Sequence, residues 1–159
     1  MILDRIILIS VNLISALLLI FTVRKDKLRE ASVIFFFLQT ITWSVGLLVV
    51  ELGLIQYPVR EFIKADATSF SFEYFIYPAL CVVYNLKFPA GNRWMKAGWI
   101  IGFPTVMTII EVIIERNTKL IDYLNWNSYW SWITLFLTFL ISRVYFLWVY
   151  RKSGKGYSW

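Results

Sequence analysis

The sequence predicts an all-α fold: a polytopic membrane helical bundle of five transmembrane helices, with the N-terminus outside and the C-terminus in the cytoplasm. Of the 159 residues, 59% are hydrophobic and only 16% are charged. Several windows of 17 or more residues contain at most one charged residue, and about 20 apolar residues in a helix are enough to cross the hydrocarbon core. The helices of a soluble domain would carry polar residues on every turn. We therefore expect residues 1–159 to form a single transmembrane domain.

The first span is predicted over about residues 6–23. Its apolar run is followed at once by a charged segment, RKDKLRE, residues 24–30. A cleaved secretory signal peptide would have a basic start, a shorter apolar core and a cleavage site flanked by small residues. The charged flank is instead typical of a span that stays in the membrane.

Four more apolar runs predict the remaining spans. The second has Glu51 near its end and is stopped by Pro58, whose ring cannot continue a helix. The connection between the fourth and fifth spans, residues 115–131, mixes apolar and polar residues, and we expect it to lie along the outer membrane surface. These four spans cover about residues 31–57, 70–86, 97–114 and 132–150.

Lysine and arginine residues in the loops predict the orientation, because they are retained on the cytoplasmic side. Ten of the sixteen fall on one side of the predicted membrane and five on the other, while Arg143 lies within the fifth span. In a soluble protein the net charge of +6 would suggest a nucleic-acid partner. Here it reflects the asymmetry across the membrane, so the lipid bilayer is the expected partner and no nucleic acid is expected to bind.

The residue types that carry most catalytic and metal chemistry are scarce. Histidine is absent, and Cys81, the only cysteine, lies in an apolar run that favours a role as a small buried hydrophobe. The chain contains no P-loop, no glycine-rich dinucleotide turn and no Gly-x-Ser-x-Gly motif. We therefore predict no catalytic residue, no metal site and no cofactor, and we interpret the protein as non-enzymatic.

The polar residues of the third span share one face of its predicted helix. At about 100° per residue they fall within an arc of roughly 120°, with apolar residues opposite. In lipid, such a polar arc is expected to face neighbouring helices or a wet cavity, and the apolar side is expected to face lipid. The principal members of the arc are Glu73, Tyr77, Tyr84 and Asn85.

Two interpretations of Glu73 stay open. An acid in the first turn of a helix complements the helix dipole and can reach water at the membrane surface. Alternatively, Glu73 belongs to a functional site, as ionisable residues within membranes usually do. Pro78 lies at the edge of the same arc and frees the carbonyl of Tyr74, which needs another partner.

Two other acids are predicted at the level of Glu73. Glu51 ends the second span, and Glu111 lies one turn before the end of the fourth, both toward the outside. The three carboxylates could converge on an outward-open pocket suited to a cation or proton, or each could extend separately to the membrane surface. Both arrangements are compatible with the sequence.

Span four contains Gly98 and Gly102 four residues apart, with Thr105 continuing the stripe. Small residues at this spacing let another helix backbone approach closely. We interpret the stripe first as tight packing within the monomer and second as self-association.

Arg143 lies toward the cytoplasmic third of the fifth span, among phenylalanines. We expect its long side chain to extend to the inner lipid headgroups. The alternative is an ion pair with a partner protein.

The run Phe72–Pro89, FEYFIYPALCVVYNLKFP, resembles a recurring segment of small, uncharacterised multi-pass membrane proteins of spore-forming Firmicutes. The acid, the proline and the aromatic–Asn pair occur there at similar offsets. The resemblance implies a bacterial cytoplasmic or spore inner membrane. That family has no established activity, so the resemblance implies no catalytic role.

Three functions remain as hypotheses. The first is a non-enzymatic accessory or assembly partner that contacts another membrane protein or a second copy of itself. The second is a small transporter or channel with the acids as an outward-facing cation or proton site. The third is a lipid-acting enzyme, which without histidine would need an acid or tyrosine such as Glu73 or Tyr77 as its base.

Overall fold

The computed structural model describes residues 2–62 and 67–150. Lys64 and residues 151–159, which contribute to the predicted charge asymmetry, lie outside the described residues. The helices are α1 (Ile2–Thr22), α2 (Leu28–Glu51), α3 (Tyr77–Leu86), α4 (Arg93–Asn117) and α5 (Ser128–Tyr150); the strands are β1 (Ile55–Gln56) and β2 (Asp122–Tyr123); a 3₁₀ turn, Lys25–Lys27, precedes α2, and a π-helical segment, Phe70–Ile76, leads into α3.

Four of the helices, α1, α2, α4 and α5, are long and apolar enough to cross a membrane. Their outer faces carry large exposed apolar side chains, such as Ile9, Ile20 and Val106. In water an apolar surface of this extent would drive association, whereas in hydrocarbon it is the ordinary exterior of a helix bundle. The structure agrees with the predicted all-α class and membrane character.

Helix α2 ends at Glu51 and does not continue to Tyr57, so the predicted end of the second span is wrong. The chain turns at Gly53, whose φ of 65° is a left-handed conformation that favours glycine. It then enters β1, which pairs antiparallel with β2. The ladder joins the connection after α2 to the connection before α5.

These two connections close one end of the helix bundle, which we call the capped end. The amide of Val59 donates to the carbonyl of Lys119 at 3.0 Å, and the amide of Lys119 donates to Asp4 Oδ1 at 3.1 Å, so the start of α1 lies at this end too. Leu120 is fully buried beneath the cap. The connection between α4 and α5 packs onto the bundle and buries Leu120 and Ile121, whereas Leu124 stays half exposed. That it lies along the outer membrane surface stays a prediction.

The π-helical segment and α3 together form the third helical segment, which lies at the centre of the bundle. Ile76 is 2% exposed, and its neighbour on the same face, Phe72, joins a buried cluster with Leu8 of α1. Farther along, Val82 joins a second buried cluster with Ile34 of α2. The expectation that this apolar side faces lipid is therefore wrong, since neighbouring helices cover it.

Pro78 shapes the backbone where the π-helical segment becomes α3. Proline has no N–H and cannot donate a backbone hydrogen bond. In an α-helical pattern the carbonyl that loses its donor is that of Tyr74, and in a π-helical pattern it is that of Glu73. Helix α2 supplies both donors: Gln39 Nε2 donates to the Tyr74 carbonyl at 2.9 Å, and Thr42 Oγ1 donates to the Glu73 carbonyl. The predicted need of Tyr74 for a partner is confirmed, and these bonds fix the third helical segment to α2.

Candidate functional site

A small cavity lies beneath the cap, between α2, the third helical segment, α4 and α5. Its volume is about 80 Å³, and the carboxylates of Glu73 and Glu111 both line it. Each of these glutamates is only 9% exposed. Hydroxyl groups of Thr42, Ser131 and Thr134 line it as well. We call it the acidic cavity.

Glu111, on α4, accepts three hydrogen bonds in the acidic cavity. Its Oε1 accepts hydrogen bonds from the Tyr123 hydroxyl and from Ser131 Oγ, both at 2.6 Å. Its Oε2 accepts from the Tyr77 hydroxyl at 2.9 Å. One side chain thus connects α3, α4, β2 and α5.

Glu73 enters the cavity from the π-helical segment. Its Oε1 accepts a hydrogen bond from the buried Tyr57 hydroxyl at 2.9 Å. The side chain lies across α2 at Gly46, where an added Cβ would stand 2.8 Å from both Cγ and Cδ of Glu73. Real Cβ atoms do not approach other atoms so closely. The absence of a side chain at Gly46 therefore leaves the room that the Glu73 carboxylate occupies.

Ser131 holds the cap against Glu111. Its hydroxyl donates to Glu111 and accepts from Trp126 Nε1 at 2.8 Å. It also lies 2.7 Å from the Tyr123 hydroxyl. A serine near the start of α5 is thereby bonded to both the connection that forms the cap and the acid of α4.

The two cap tyrosines act as hydrogen-bond donors. Burial raises the pKa of Tyr57 well above its usual value, and the negative charges of Glu73 and Glu111 raise it further. Burial and the adjacent Glu111 raise the pKa of Tyr123 in the same way. Both phenols therefore stay protonated throughout the physiological pH range, and they stabilise carboxylate charge and do not act as bases.

The structure brings together part of the predicted polar site. Glu73, Tyr77 and Glu111 line one cavity, as the converging arrangement requires. Glu51 does not: it is exposed at the end of α2, and it is not among the residues that line the cavity. The chain turns away from α2 directly after Glu51, which leaves that side chain outside the cap.

Tyr84 and Asn85 lie farther along the third helical segment, toward the opposite end of the bundle. The Tyr84 ring is fully buried and packs against Phe103 and Phe139. Asn85 Nδ2 donates to Ser142 Oγ of α5. The residues of the predicted polar face therefore lie in two separate parts of the bundle. Only those in its first turns line the acidic cavity.

Arg143 is 2% exposed, so the expectation that it extends to the inner headgroups is wrong. Its guanidinium carbon lies 3.8 Å from the centroid of the Phe88 ring and 5.7 Å from that of Phe146. A cation over an aromatic face is attracted by the negative potential of the ring. Phe88, directly after α3, keeps the side chain inside the protein.

The glycine stripe of α4 does not pack within the monomer as expected. A Cβ added at Gly98 or Gly102 would lie more than 4 Å from every atom other than the adjacent residues and the nearby backbone of α4 itself. Thr105 does contact another helix, since its Oγ1 accepts from Trp132 Nε1 at 3.0 Å. The two glycines therefore face outward.

Sequence reasoning missed Tyr57, Tyr123, Ser131 and Gly46. A helical projection compares positions on a single helix, so it cannot show side chains that reach the site from a loop or from across a helix crossing. The one available signal was that Tyr57, at the predicted end of the second span, and Tyr123, in the connection after the fourth span, were predicted on the same side of the membrane. It did not indicate which acid each tyrosine would contact.

The chemistry of the acidic cavity is that of oxygen ligands. Within residues 2–62 and 67–150, no group of three or more histidine, cysteine, aspartate or glutamate residues could hold a metal ion. Two carboxylates with surrounding hydroxyls can bind a proton or a hard cation of low charge. Comparison of the chain with known protein families, curated proteins and solved structures found no match.

Gly46→Ala is expected to lower the free energy of unfolding by about 1–3 kcal/mol, because the new methyl group must displace Glu73. The matched controls are Gly98→Ala and Gly102→Ala, whose methyl groups have room; we expect them to be neutral or to stabilise α4 by up to about 1 kcal/mol. Thermal unfolding of the three variants in one detergent measures the difference. Equal midpoints for Gly46→Ala and Gly98→Ala would contradict the contact.

Proposed function

We propose that this protein is a non-enzymatic integral membrane protein of a bacterial cytoplasmic or spore inner membrane that binds a small monovalent cation at its outer side. The observation that carries the proposal is the setting of Glu111. It is a buried carboxylate whose hydrogen-bond partners in the described structure are three neutral hydroxyls, and it shares an 80 Å³ cavity with Glu73.

Charge is the first step of the argument. Burying a carboxylate is costly unless it is paired, and hydroxyl donors stabilise its charge without neutralising it. The hydrogen-bond partners of Glu111 are neutral hydroxyls, and none of the described residues that line the acidic cavity is a lysine or arginine. A bound monovalent cation would balance the charge of Glu111.

Size and ligand type then select the cation. A volume of 80 Å³ corresponds to only about three waters at their liquid density, which excludes a large organic cation. The cavity offers carboxylate and hydroxyl oxygens, the ligands of hard cations. Because Tyr77 donates its proton to Glu111, its oxygen lone pairs are available to an ion. Ionised Glu111 contributes a single negative charge among neutral hydroxyls, and a monovalent ion matches that charge.

We also propose that the third helical segment is a fifth span and that the capped end faces outside. The segment begins near Tyr57, at the capped end, and its far end is near Trp99, whose Nε1 donates to the Tyr84 carbonyl at 3.2 Å. Since α4 starts at that far end and returns to the cap, the segment has to traverse the bundle. The distribution of lysine and arginine supports the orientation.

Cation binding is tested by thermal unfolding of the purified protein in lipid nanodiscs, with Na⁺ or K⁺ against N-methylglucamine at equal ionic strength. At a hundredfold excess over Kd, binding contributes about 2.7 kcal/mol, which raises the midpoint by roughly 5–10 °C in a chain of this size. We expect this shift in the wild type and in Glu51→Gln, whose side chain lies outside the cavity, and its loss in Glu111→Gln.

The same measurement can contradict the proposal in two ways. If the wild type responds to neither ion, no monovalent metal cation binds. If stability responds to pH but to neither Na⁺ nor K⁺, with the response lost in Glu111→Gln, the ligand is a proton.

The orientation is tested by labelling with a membrane-impermeant maleimide in a Cys81→Ser background. Asn125→Cys places a thiol in an exposed position of the cap, and Ala90→Cys places one in the exposed connection before α4. We expect intact cells to label Asn125→Cys at once and Ala90→Cys only after permeabilisation. The reverse pattern would invert the topology.

A second candidate function, as an assembly partner, is favoured by the outward-facing glycines of α4. Gly98 and Gly102 lie in a surface groove of about 320 Å³ that is also lined by Trp99 and Phe103. Small residues beside aromatic rings form a surface into which a helix of another membrane protein can pack closely.

The double variant Gly98→Leu/Gly102→Leu fills this groove and is expected to abolish co-elution of a partner helix protein from a gentle detergent. Ile113→Phe, which enlarges an exposed side chain elsewhere on α4, serves as the control and is expected to keep the partner. Elution of the wild type as a lone monomer would remove this candidate.

A further inference from the structure

A second, apolar cavity adjoins the acidic one. It is a groove of about 220 Å³ between α1 and α4, with the third helical segment as its floor. We call it the α1–α4 groove. Its apolar lining includes Val11, Ile14, Leu18, Leu80 and Ile110.

Tyr77 and Glu111 line both the α1–α4 groove and the acidic cavity. The hydrogen-bonded pair therefore stands between an apolar space on one side and a polar space on the other. Apart from these two residues, the only polar side chain among the groove residues in the described structure is Ser15. A ligand that fills the groove would meet apolar side chains along most of its length and Tyr77 with Glu111 at one place.

The groove suits a hydrocarbon chain better than water. A buried water needs two to four polar partners, and along most of the groove the lining is apolar, with polar side chains only at Ser15, Tyr77 and Glu111 among the described residues. The groove also opens to the surroundings: Ile14, Leu18 and Ile110 are 56%, 41% and 43% exposed. In a membrane these positions face acyl chains, so a chain can enter from the side without crossing water.

We propose that the α1–α4 groove binds the alkyl chain of a membrane amphiphile whose primary ammonium head pairs with Glu111. Charge complementarity selects this head, because an ammonium is attracted to the carboxylate whereas a carboxylate or phosphate head would be repelled. An ammonium also carries N–H donors, which the Tyr77 oxygen and the remaining lone pair of Glu111 can accept. This inference rests on the proposed function in that it uses the same charge on Glu111.

The test uses the full-length protein in phosphatidylcholine nanodiscs, whose quaternary ammonium groups have no N–H. Dodecylamine, dodecan-1-ol and dodecanoate have the same chain and differ in the head. We expect dodecylamine to raise the unfolding midpoint of the wild type, the alcohol to act about tenfold more weakly in apparent Kd, and dodecanoate to have no effect. Equal responses to the amine and the alcohol would overturn the proposal.

Neighbouring positions on α4 provide a matched pair of variants. Ile110→Trp fills the groove and is expected to abolish the response to dodecylamine, whereas Ile109→Trp changes an exposed side chain outside the groove and is expected to keep it. If Ile110→Trp does not fold, Ile14→Trp fills the groove from α1. A full response in a folded groove-filling variant would also overturn the proposal.

The responses to Na⁺ and to dodecylamine separate the two proposals. Ile110→Trp retains Glu111 and should keep its response to Na⁺ while losing that to the amine. A wild type that responds to dodecylamine but not to Na⁺ or K⁺ would leave the groove proposal standing and remove the metal cation. Phosphatidylethanolamine carries a phosphate beside its ammonium, so we expect nanodiscs with and without this lipid to give the wild type the same unfolding midpoint; stabilisation by the lipid would contradict the exclusion of phosphate heads.

Discussion

Hydrocarbon cannot hydrogen-bond, so a polar group of this bundle is costly unless it finds a partner within the protein or at the membrane rim. The third helical segment shows this constraint most clearly. Pro78 removes one donor from its backbone, and two side chains of α2, Gln39 and Thr42, replace it. Those bonds fix the segment in the centre of the bundle, and its position in turn sets the direction in which Glu73 and Tyr77 point.

The cap extends the same principle to the acids. A carboxylate at the end of a membrane helix could extend toward water, yet Glu73 and Glu111 are enclosed by hydroxyl groups from loops and neighbouring helices. Tyrosines suit this task because their rings pack against apolar neighbours while their hydroxyls stay protonated and donate. The result is a site in which two carboxylates are largely removed from water, the setting in which a charge interacts most strongly with its neighbours.

Glu111 gives this site two faces. Toward α5 it joins a polar cavity of the size of a few waters, and toward α1 it borders an apolar groove that opens to the surroundings of the bundle. A single carboxylate thus makes both an inorganic cation and the head of an amphiphile chemically reasonable ligands. The inorganic cation and the head of the amphiphile would compete for the carboxylate of Glu111. Only the amphiphile has an alkyl tail that could also bind in the α1–α4 groove.

The sequence alone indicated that this protein lies in a membrane and that Glu73 and Glu111 lie at a similar depth along their helices. Apolar runs long enough to cross a bilayer have no other stable setting, and counting residues from the ends of such runs places Glu73 and Glu111 at one depth. It also indicated that the carbonyl of Tyr74 would need a partner, because the effect of proline on a helix is local.

Only the tertiary structure decided what those residues contact. The turn at Gly53 leaves Glu51 outside, the paired strands bring Tyr57 and Tyr123 over the acids, and Phe88 keeps Arg143 inside. It also turned Gly98 and Gly102 outward, against the expected packing within the monomer. The physical reason is that periodicity along a helix reports which residues share a face, whereas the partner of that face depends on how helices and loops far apart in the chain pack together.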